Sequence, residues 1–400
     1  TTGLVMAGFS TAQEKSGQRS DDDERIVKAF VEANYQEVFR EPNGTLNHPY
    51  LVPGGPYDQS WDWDSVFTGV ALLDLGSAPY LAGAMMNFFD QTNETTGEVT
   101  ICVDPTTTSP SCSSDPSDNI SSGSHAKPVL IQGALAAAEH TNDWEQFRPY
   151  SSKMSALLAY WSTQRKHSPT GLFTWHDQME SGADNLVLSA CPSPRSDCWV
   201  EEGCGNSLSS PDLMAYLYRE NLAYARFLDR WNLPGSDRYE AAAASVKETL
   251  EEQLWSEEDG FHLSRNVTDG SDIGAPTYAL GVPLWMGPGG LEAGRAERVV
   301  ERLTKPDMLG EYGIRSTSSD NPDYNNDDVI TPYSNWRGPV WVNANVVVAY
   351  GMLDFGYYEE AAGLAVKVMK VLADDLRATG EWHEDYDAEA GGGGSGPGFL

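Results

Sequence analysis

Positive charge is scarce in this 400-residue chain. It carries 26 Lys and Arg against 59 Asp and Glu, for a formal net charge of −33. Nucleic acids and anionic membrane surfaces demand clustered cations, so neither is expected as the main partner. No apolar run reaches the roughly eighteen residues of a membrane span. Metal-ligand spacings are missing as well: there is no CxxC and no HxxxH, and His383-Glu384 lacks the second His of HExxH. The acidic stretch 320–328 lacks EF-hand spacing and reads as a solvated loop. Gly391-x-Gly393-x-x-Gly396 fits the dinucleotide pattern only formally, because it follows an acidic loop instead of a strand. No GxSxG elbow and no repeat of 20–50 residues occurs, which excludes a serine-hydrolase elbow and a regular solenoid. Neither a metal nor a cofactor is expected.

Cysteine is sparse but grouped. Cys102 and Cys112 lie in one Ser/Pro/Asp-rich stretch and Cys191, Cys198 and Cys204 in another. Such stretches suit disulfides in an oxidising compartment, with Cys102–Cys112 closing one loop and two of the other three a second. Four Asn-x-Ser/Thr sequons, at Asn43, Asn93, Asn119 and Asn266, add weight to a secreted or extracytoplasmic location. Residues 1–23 read as a disordered leader and 24–400 as one folded domain.

The apolar pattern is helical. Ile26, Phe30, Ala33 and Tyr35 share a face, and similar periodicity fills 65–75, 77–91, 128–141, 143–166, 211–231, 236–256, 291–304, 338–354 and 357–379. Ser77-Ala-Pro, Pro128, Ser210-Pro211 and Gly338-Pro339 suit first helical turns. Only 98–103 and 260–265 read as strands. The expected class is all-α, with antiparallel helix pairs closed into a toroid. Four long loops, 104–127, 167–210, 306–337 and 380–398, are rich in aromatic and acidic residues and point to a site at one end of the scaffold.

Four stretches carry the chemistry. PGGPYDQSWDWDSVF (53–67) alternates rings with carboxylates, and Asp62 or Asp64 can cap the helix expected near Ser65. A sugar offers an apolar C–H face to a ring and hydroxyls to a carboxylate, so Tyr57, Trp61, Trp63 and Asp64 form a natural sugar platform. MESGADNLVLS (179–189) places Asp184 after Gly182 in a long loop, where an Asx-turn is the alternative. NWRGPVW (335–341) sets Trp336, Arg337 and Trp341 around a helix start. HEDYDAEAG (383–391) supplies further acids, including Glu384. Glycosidic hydrolysis needs two carboxyl groups, and the second and fourth stretches offer them some 200 residues apart.

Together these motifs resemble known families. The first is similar to the trehalase signature PGGRFxExYxWDSYF, with Pro56 in place of Arg. Its Tyr-x-x-x-Trp-x-Trp-Asp-Ser form resembles glycoside hydrolase family 63 more closely, especially the compact mannosylglycerate/glucosylglycerate hydrolase branch. ESGADN resembles that family's ESGxDN, NWRGPVW its YWRGPIW, and HEDYDAEAG its HENYNPxTG. The resemblance implies an (α/α)6 barrel and inverting hydrolysis of a small α-glucoside or α-mannoside. It assigns Asp184 as general acid and Glu384 as general base. Tyr57, Trp61, Trp63 and Asp64 would line the sugar subsite, with Gly182, Trp336, Arg337 and Trp341 nearby. The implied partner is a small carbohydrate, bound without metal. Met179 stands where the branch often carries Trp, and Ala126-Lys127-Pro128 replaces a Gln-Pro-Pro motif near the aglycone. The resemblance also leads to the expectation of one more barrel helix beyond Leu400. The competing functions are a non-catalytic carbohydrate-binding protein on the same fold, and a trehalase.

Overall fold

The computed structural model describes residues 18–55, 57–108, 124–186, 207–327, 334–394 and 396–399. Twelve α-helices fall among them: α1 Gln18–Asn34, α2 Asp62–Ala71, α3 Ala78–Gln91, α4 Leu130–Thr141, α5 Ser151–Tyr160, α6 Gln178–Ser181, α7 Pro211–Arg230, α8 Ser236–Gln253, α9 Gly287–Gly290, α10 Ala293–Leu303, α11 Val342–Asp354 and α12 Tyr358–Ala378. A nine-residue 3-10 helix, Tyr278–Met286, takes a helix's place between α7 and α11. Each inner element packs on the next: α2 on α4, α4 on α7, α7 on the 3-10 helix, and that on α11. Outside them, α3 packs on α4, α8 on α7, α10 on the 3-10 helix, and α12 on α11 and α1. The architecture is the expected (α/α)6 toroid.

The periodicities show why. In α8 the buried residues are Tyr239, Ala243, Val246 and Leu250, and in α10 they are Ala296, Val299, Val300 and Leu303. Both sets keep the three-to-four spacing of a one-sided helix, and charged residues fill the other face. In α7, buried between neighbours, fifteen of twenty residues are inaccessible. The 3-10 helix carries Pro283, which has no N–H for an α-helical bond. It lies close to α11, since a Cβ at Gly351 would sit 2.5 Å from Leu284.

Three boundaries differ from expectation. Helix α1 begins at Gln18, within the stretch read as leader, and Asp22 and Asp23 there pair with Arg377 of α12 at 2.9 and 2.6 Å. Residues 1–17 lie outside the described residues. Helix α2 starts at Asp62, three residues early, and its N-cap position is Trp61 and neither aspartate. Helix α11 starts at Val342 and not at Gly338. The intervening backbone is held extended, with Val340 bridging Arg315 on one side and Tyr386 on the other.

The strands are two or three residues long and tie loops together. Ser60–Trp61 pairs antiparallel with Cys102–Val103, Ser60 opposite Val103. Cys102 is in a disulfide; Cys112, its expected partner, and the other three cysteines lie outside the described residues. No helix among the described residues is long and apolar enough to cross a membrane.

Candidate active site

The start of α2 builds the platform. Asp62 Oδ1 accepts the Trp63 N–H at 2.6 Å, and Oδ2 accepts the Lys127 N–H at 2.7 Å. The Lys127 ammonium returns to the same carboxylate at 3.2 and 3.4 Å. Both side chains are buried, at 3% and 0% exposure. A buried charge left unpaired costs several kcal/mol, so the two residues are mutually obligatory. Lys127 Nζ also stands 4.8 Å over the Trp63 ring. Tyr57 and Trp61 meet edge to face at 5.9 Å, and the buried Trp61 Nε1 has no hydrogen-bond partner among the described residues.

The acid loop passes directly over this pair. Gly182 has φ +79°, and a Cβ there would lie 2.5 Å from the Trp63 ring and 2.7 Å from the Lys127 stem. Only glycine fits both the conformation and the space. Two residues on, Asp184 Oδ2 accepts the Ser334 hydroxyl at 2.6 Å and its N–H at 3.3 Å. Oδ1 accepts no hydrogen bond among the described residues. Asn185 ties the loop to the third motif: its Oδ1 accepts the Trp336 N–H at 2.6 Å, and its carbonyl accepts Arg337 Nε at 2.9 Å. Behind the loop, the buried Glu180 accepts from His125 N at 2.8 Å, Arg165 Nη2 at 2.9 Å and His176 N at 2.5 Å.

The third motif supplies the backing. Trp336 and Trp341 stack at 4.0 Å with 9° between their planes, and Trp336 lies 5.8 Å from Trp63. Trp336 has 0% exposure, so it stands behind the platform and cannot meet a ligand face to face. Trp341 is nearly as buried and donates its Nε1–H to the Asn335 carbonyl at 2.8 Å. A crevice too tight to hold a water molecule is lined by Trp63, Phe67, Tyr216, Tyr278, Asn343 and Val347, among others.

Glu384 arrives on the last loop. Its N–H donates to the Gly396 carbonyl at 3.2 Å. Neighbouring His383 is locked by Asp375 Oδ2 at 2.9 Å, and Tyr386 exchanges backbone bonds with Val340 at 2.8 and 3.1 Å. The loop is thereby sewn to the strand that leads into Trp341.

Electrostatics bring the pieces together. The Tyr57 hydroxyl is pushed far above its ordinary range by burial, and further by the charges of Glu384, Asp64 and Asp184. Carboxyls from two motifs distant in sequence, with Asp64 of its own motif, therefore act on one phenol. Burial also raises Asp184 to about 6, against the Ser334 hydrogen bonds and the Lys127 charge, which pull it down. Asp64 is raised to about 7 by burial and by the Asp62 charge, with Lys127 opposing.

Of the residues expected at the site, Tyr57, Trp61, Trp63, Asp64, Gly182, Asp184 and Glu384 come together. Arg337 is turned to the Asn185 carbonyl, and Trp336 and Trp341 sit behind. Lys127 stood out in the sequence only as part of Ala126-Lys127-Pro128, and Asn185 and Ser334 were not expected at the site. Asn185 was visible as the partner of Asp184 in a possible Asx-turn. The buried Asp62–Lys127 pair gave no local signal, because its members are 65 residues apart.

A helical toroid with paired carboxylates and aromatic walls is the architecture of a glycosidase. The family model for the mannosylglycerate hydrolase MGH1-like glycoside hydrolase domain matches residues 57–400, and the chain belongs to that family. A mannosylglycerate hydrolase of Thermus thermophilus is 30% identical over 148 residues, 37% of this chain. That alignment spans 32% of the relative's length. The crystal structure of the family 63 mannosylglycerate hydrolase from another strain of Thermus thermophilus, in complex with glucose, superposes with a TM-score of 0.72 at 23% identity, covering 92% of this chain and 97% of that one. The neutral trehalase of Saccharomyces cerevisiae superposes at 0.67 with 17% identity, over 88% of this chain and 71% of that one.

Proposed function

We propose that the protein is an inverting glycosidase acting on a small α-mannoside or α-glucoside of the mannosylglycerate or glucosylglycerate kind. The observation that carries this is the shared influence of Glu384, Asp64 and Asp184 on the Tyr57 hydroxyl, which supports two candidate catalytic carboxyls near one aromatic wall. Asp184 donates the proton to the leaving oxygen. Burial holds it up at about 6, so a neutral carboxyl is accessible near neutral pH. Its Oδ1, which accepts no hydrogen bond among the described residues, is the oxygen available to carry that proton. Glu384 takes a proton from the attacking water on the opposite face of the sugar. Tyr57 and Trp61 receive the C–H face of the ring, with Trp63 packed behind them. Asp64 accepts no side-chain hydrogen bond from another residue among those described, and it serves a sugar hydroxyl. The family and the mannosylglycerate hydrolase relative support this substrate class. The Cys102 disulfide supports an extracytoplasmic location.

Trehalose is the second substrate to test, because trehalases share the fold. Pro56 in place of the trehalase signature's Arg speaks against it. A hydrolysis screen over mannosylglycerate, glucosylglycerate, trehalose, kojibiose and nigerose, with the product anomer read by NMR, tests the whole reading. Release of the β-anomer supports inversion. Binding without any product leaves a lectin-like protein instead. Asp184→Asn should lower turnover by about 10²- to 10⁴-fold while substrate binding by calorimetry persists; unchanged turnover refutes its role as acid.

A further inference from the structure

We propose that Lys127 is a positioning residue for Asp184: its stem supports the turn at Gly182, and its ammonium, anchored by Asp62, is a fixed cation beneath the carboxyls of the site. This rests on Asp184 being the proton donor of the reading above. The geometry has three parts. Asp62 grips Lys127 at both ends of the residue, backbone N–H and Nζ, which leaves the side chain one path along the floor. That path crosses the face of Trp63, with Nζ 4.8 Å from the ring centroid. The stem is close enough to Gly182 that a single added carbon would stand 2.7 Å from Cε. Any change in the bulk of Lys127 is therefore felt two residues before Asp184.

The charge matters because of what surrounds it. Lys127 is faced by Asp62 and Asp64 from α2, by Asp184 from the loop after α6, and by Asp212 from α7. Asp184 itself is faced by Lys127, Asp177, Ser334, Tyr57, Tyr278 and Asp64. Without a cation here, burial would hold Asp64, Asp184 and Asp212 neutral to higher pH. Lys127 favours their ionised forms, and so sets the pH at which the donor carboxyl loses its proton.

The test reads Asp184 directly, by carboxyl-carbon NMR titration of the full chain with site-selective assignment. Lys127→Met keeps the stem's length and removes the charge. The midpoint of Asp184 should rise by about one pH unit, and that of Asp64 in the same direction. Asp62→Asn/Lys127→Met removes the buried ion pair as a whole, which keeps the fold testable if the single variant is too unstable. Asp184 should rise there too, because Lys127 opposes its burial directly. An Asp184 midpoint unchanged in the double variant overturns the proposal, since a purely structural lysine would leave it in place. In an active enzyme the alkaline limb of kcat should move upward with that midpoint. The NMR arm stands without turnover, so an inactive wild type would sink the functional reading while Lys127 is still tested.

Discussion

Replacing Gly182 by Ala tests how tightly the acid loop is built on the sugar platform. The new Cβ would stand 2.5 Å and 2.8 Å from two carbons of the Trp63 ring and 2.7 Å from the Lys127 stem. Carbon atoms rest about 3.5–4.0 Å apart, so relief requires a shift of about 1 Å. Trp63 has little room to yield: it lies between Trp336 at 5.8 Å and Phe67 at 6.1 Å, with Lys127 over its face. The loop must move instead, and Asp184 with it. A left-handed Ala costs about 1–2 kcal/mol and overpacking about 1–3 kcal/mol, so the loss is roughly 2–5 kcal/mol. With about 2.1 cal/mol/K per residue, a chain of 400 residues has an unfolding entropy near 0.8 kcal/mol/K. The melting temperature should therefore fall by roughly 2–6 °C. A donor misplaced by about 1 Å should cost about 100-fold in kcat/KM. Gly363→Ala on α12, with nothing within 4 Å of the added carbon, is the control and should leave both quantities near wild type. Scanning calorimetry and hydrolysis of mannosylglycerate read the outcome. A Gly182→Ala enzyme with wild-type melting and rate would show that the contact does not constrain the loop.

Two further outcomes follow from buried acids. Because the donor must be protonated and Asp184 lies at about 6, kcat should fall up to tenfold per pH unit above that value; a rate flat from pH 5 to 8 would remove Asp184 from the role. Glu220, on α7, accepts Ile131 N at 2.7 Å and Gln132 N at 3.2 Å at the start of α4, and burial raises it from 4.5 to about 8. A raised carboxyl favours the native state below its unfolded value, and that benefit is lost as pH rises through the folded one. Urea unfolding at pH 5 and pH 8.5 should show Glu220→Gln gaining on wild type at the higher pH by a few kcal/mol, and equal losses at both would refute the assignment.

Helix periodicity made the toroid legible, because a one-sided apolar stripe is a local property of a chain segment. Residues 236–256 and 291–304 closely match α8 and α10 for that reason. Long-range pairing was not legible. The α11 start signal, Gly338-Pro339, was overridden by the Val340 bridges to Arg315 and Tyr386, contacts that no local window contains. The aspartates of the first motif show the same limit. Asp62 and Asp64 both looked like helix caps, yet one binds a lysine 65 residues away and the other faces the site. The motifs converge in the structure; how deeply each tryptophan sits was decided by packing, with Trp336 wholly enclosed.

The site residues separate by how many fixed donors each carboxylate holds. Glu180 accepts from three groups, two of them backbone N–H, and Asp62 from two N–H groups and an ammonium. Asp177 takes the Ser124 hydroxyl at both oxygens and the Glu180 N–H at 2.7 Å. A carboxylate so saturated is committed to holding backbone in place, and moving a proton onto it would forfeit hydrogen bonds. Asp184 holds one residue, Ser334, through one oxygen, and Asp64 holds no other side chain among those described. These are the acids with spare capacity for a ligand. Asp64 and Asp184 are partly exposed, but so is the saturated Asp177, so exposure alone does not separate the two groups; the number of committed lone pairs does. Asp64 shares this openness but sits on the floor with the Asp62 charge beside it, whereas Asp184 stands on a turn that glycine alone permits, which is the arrangement suited to presenting a proton to a leaving oxygen.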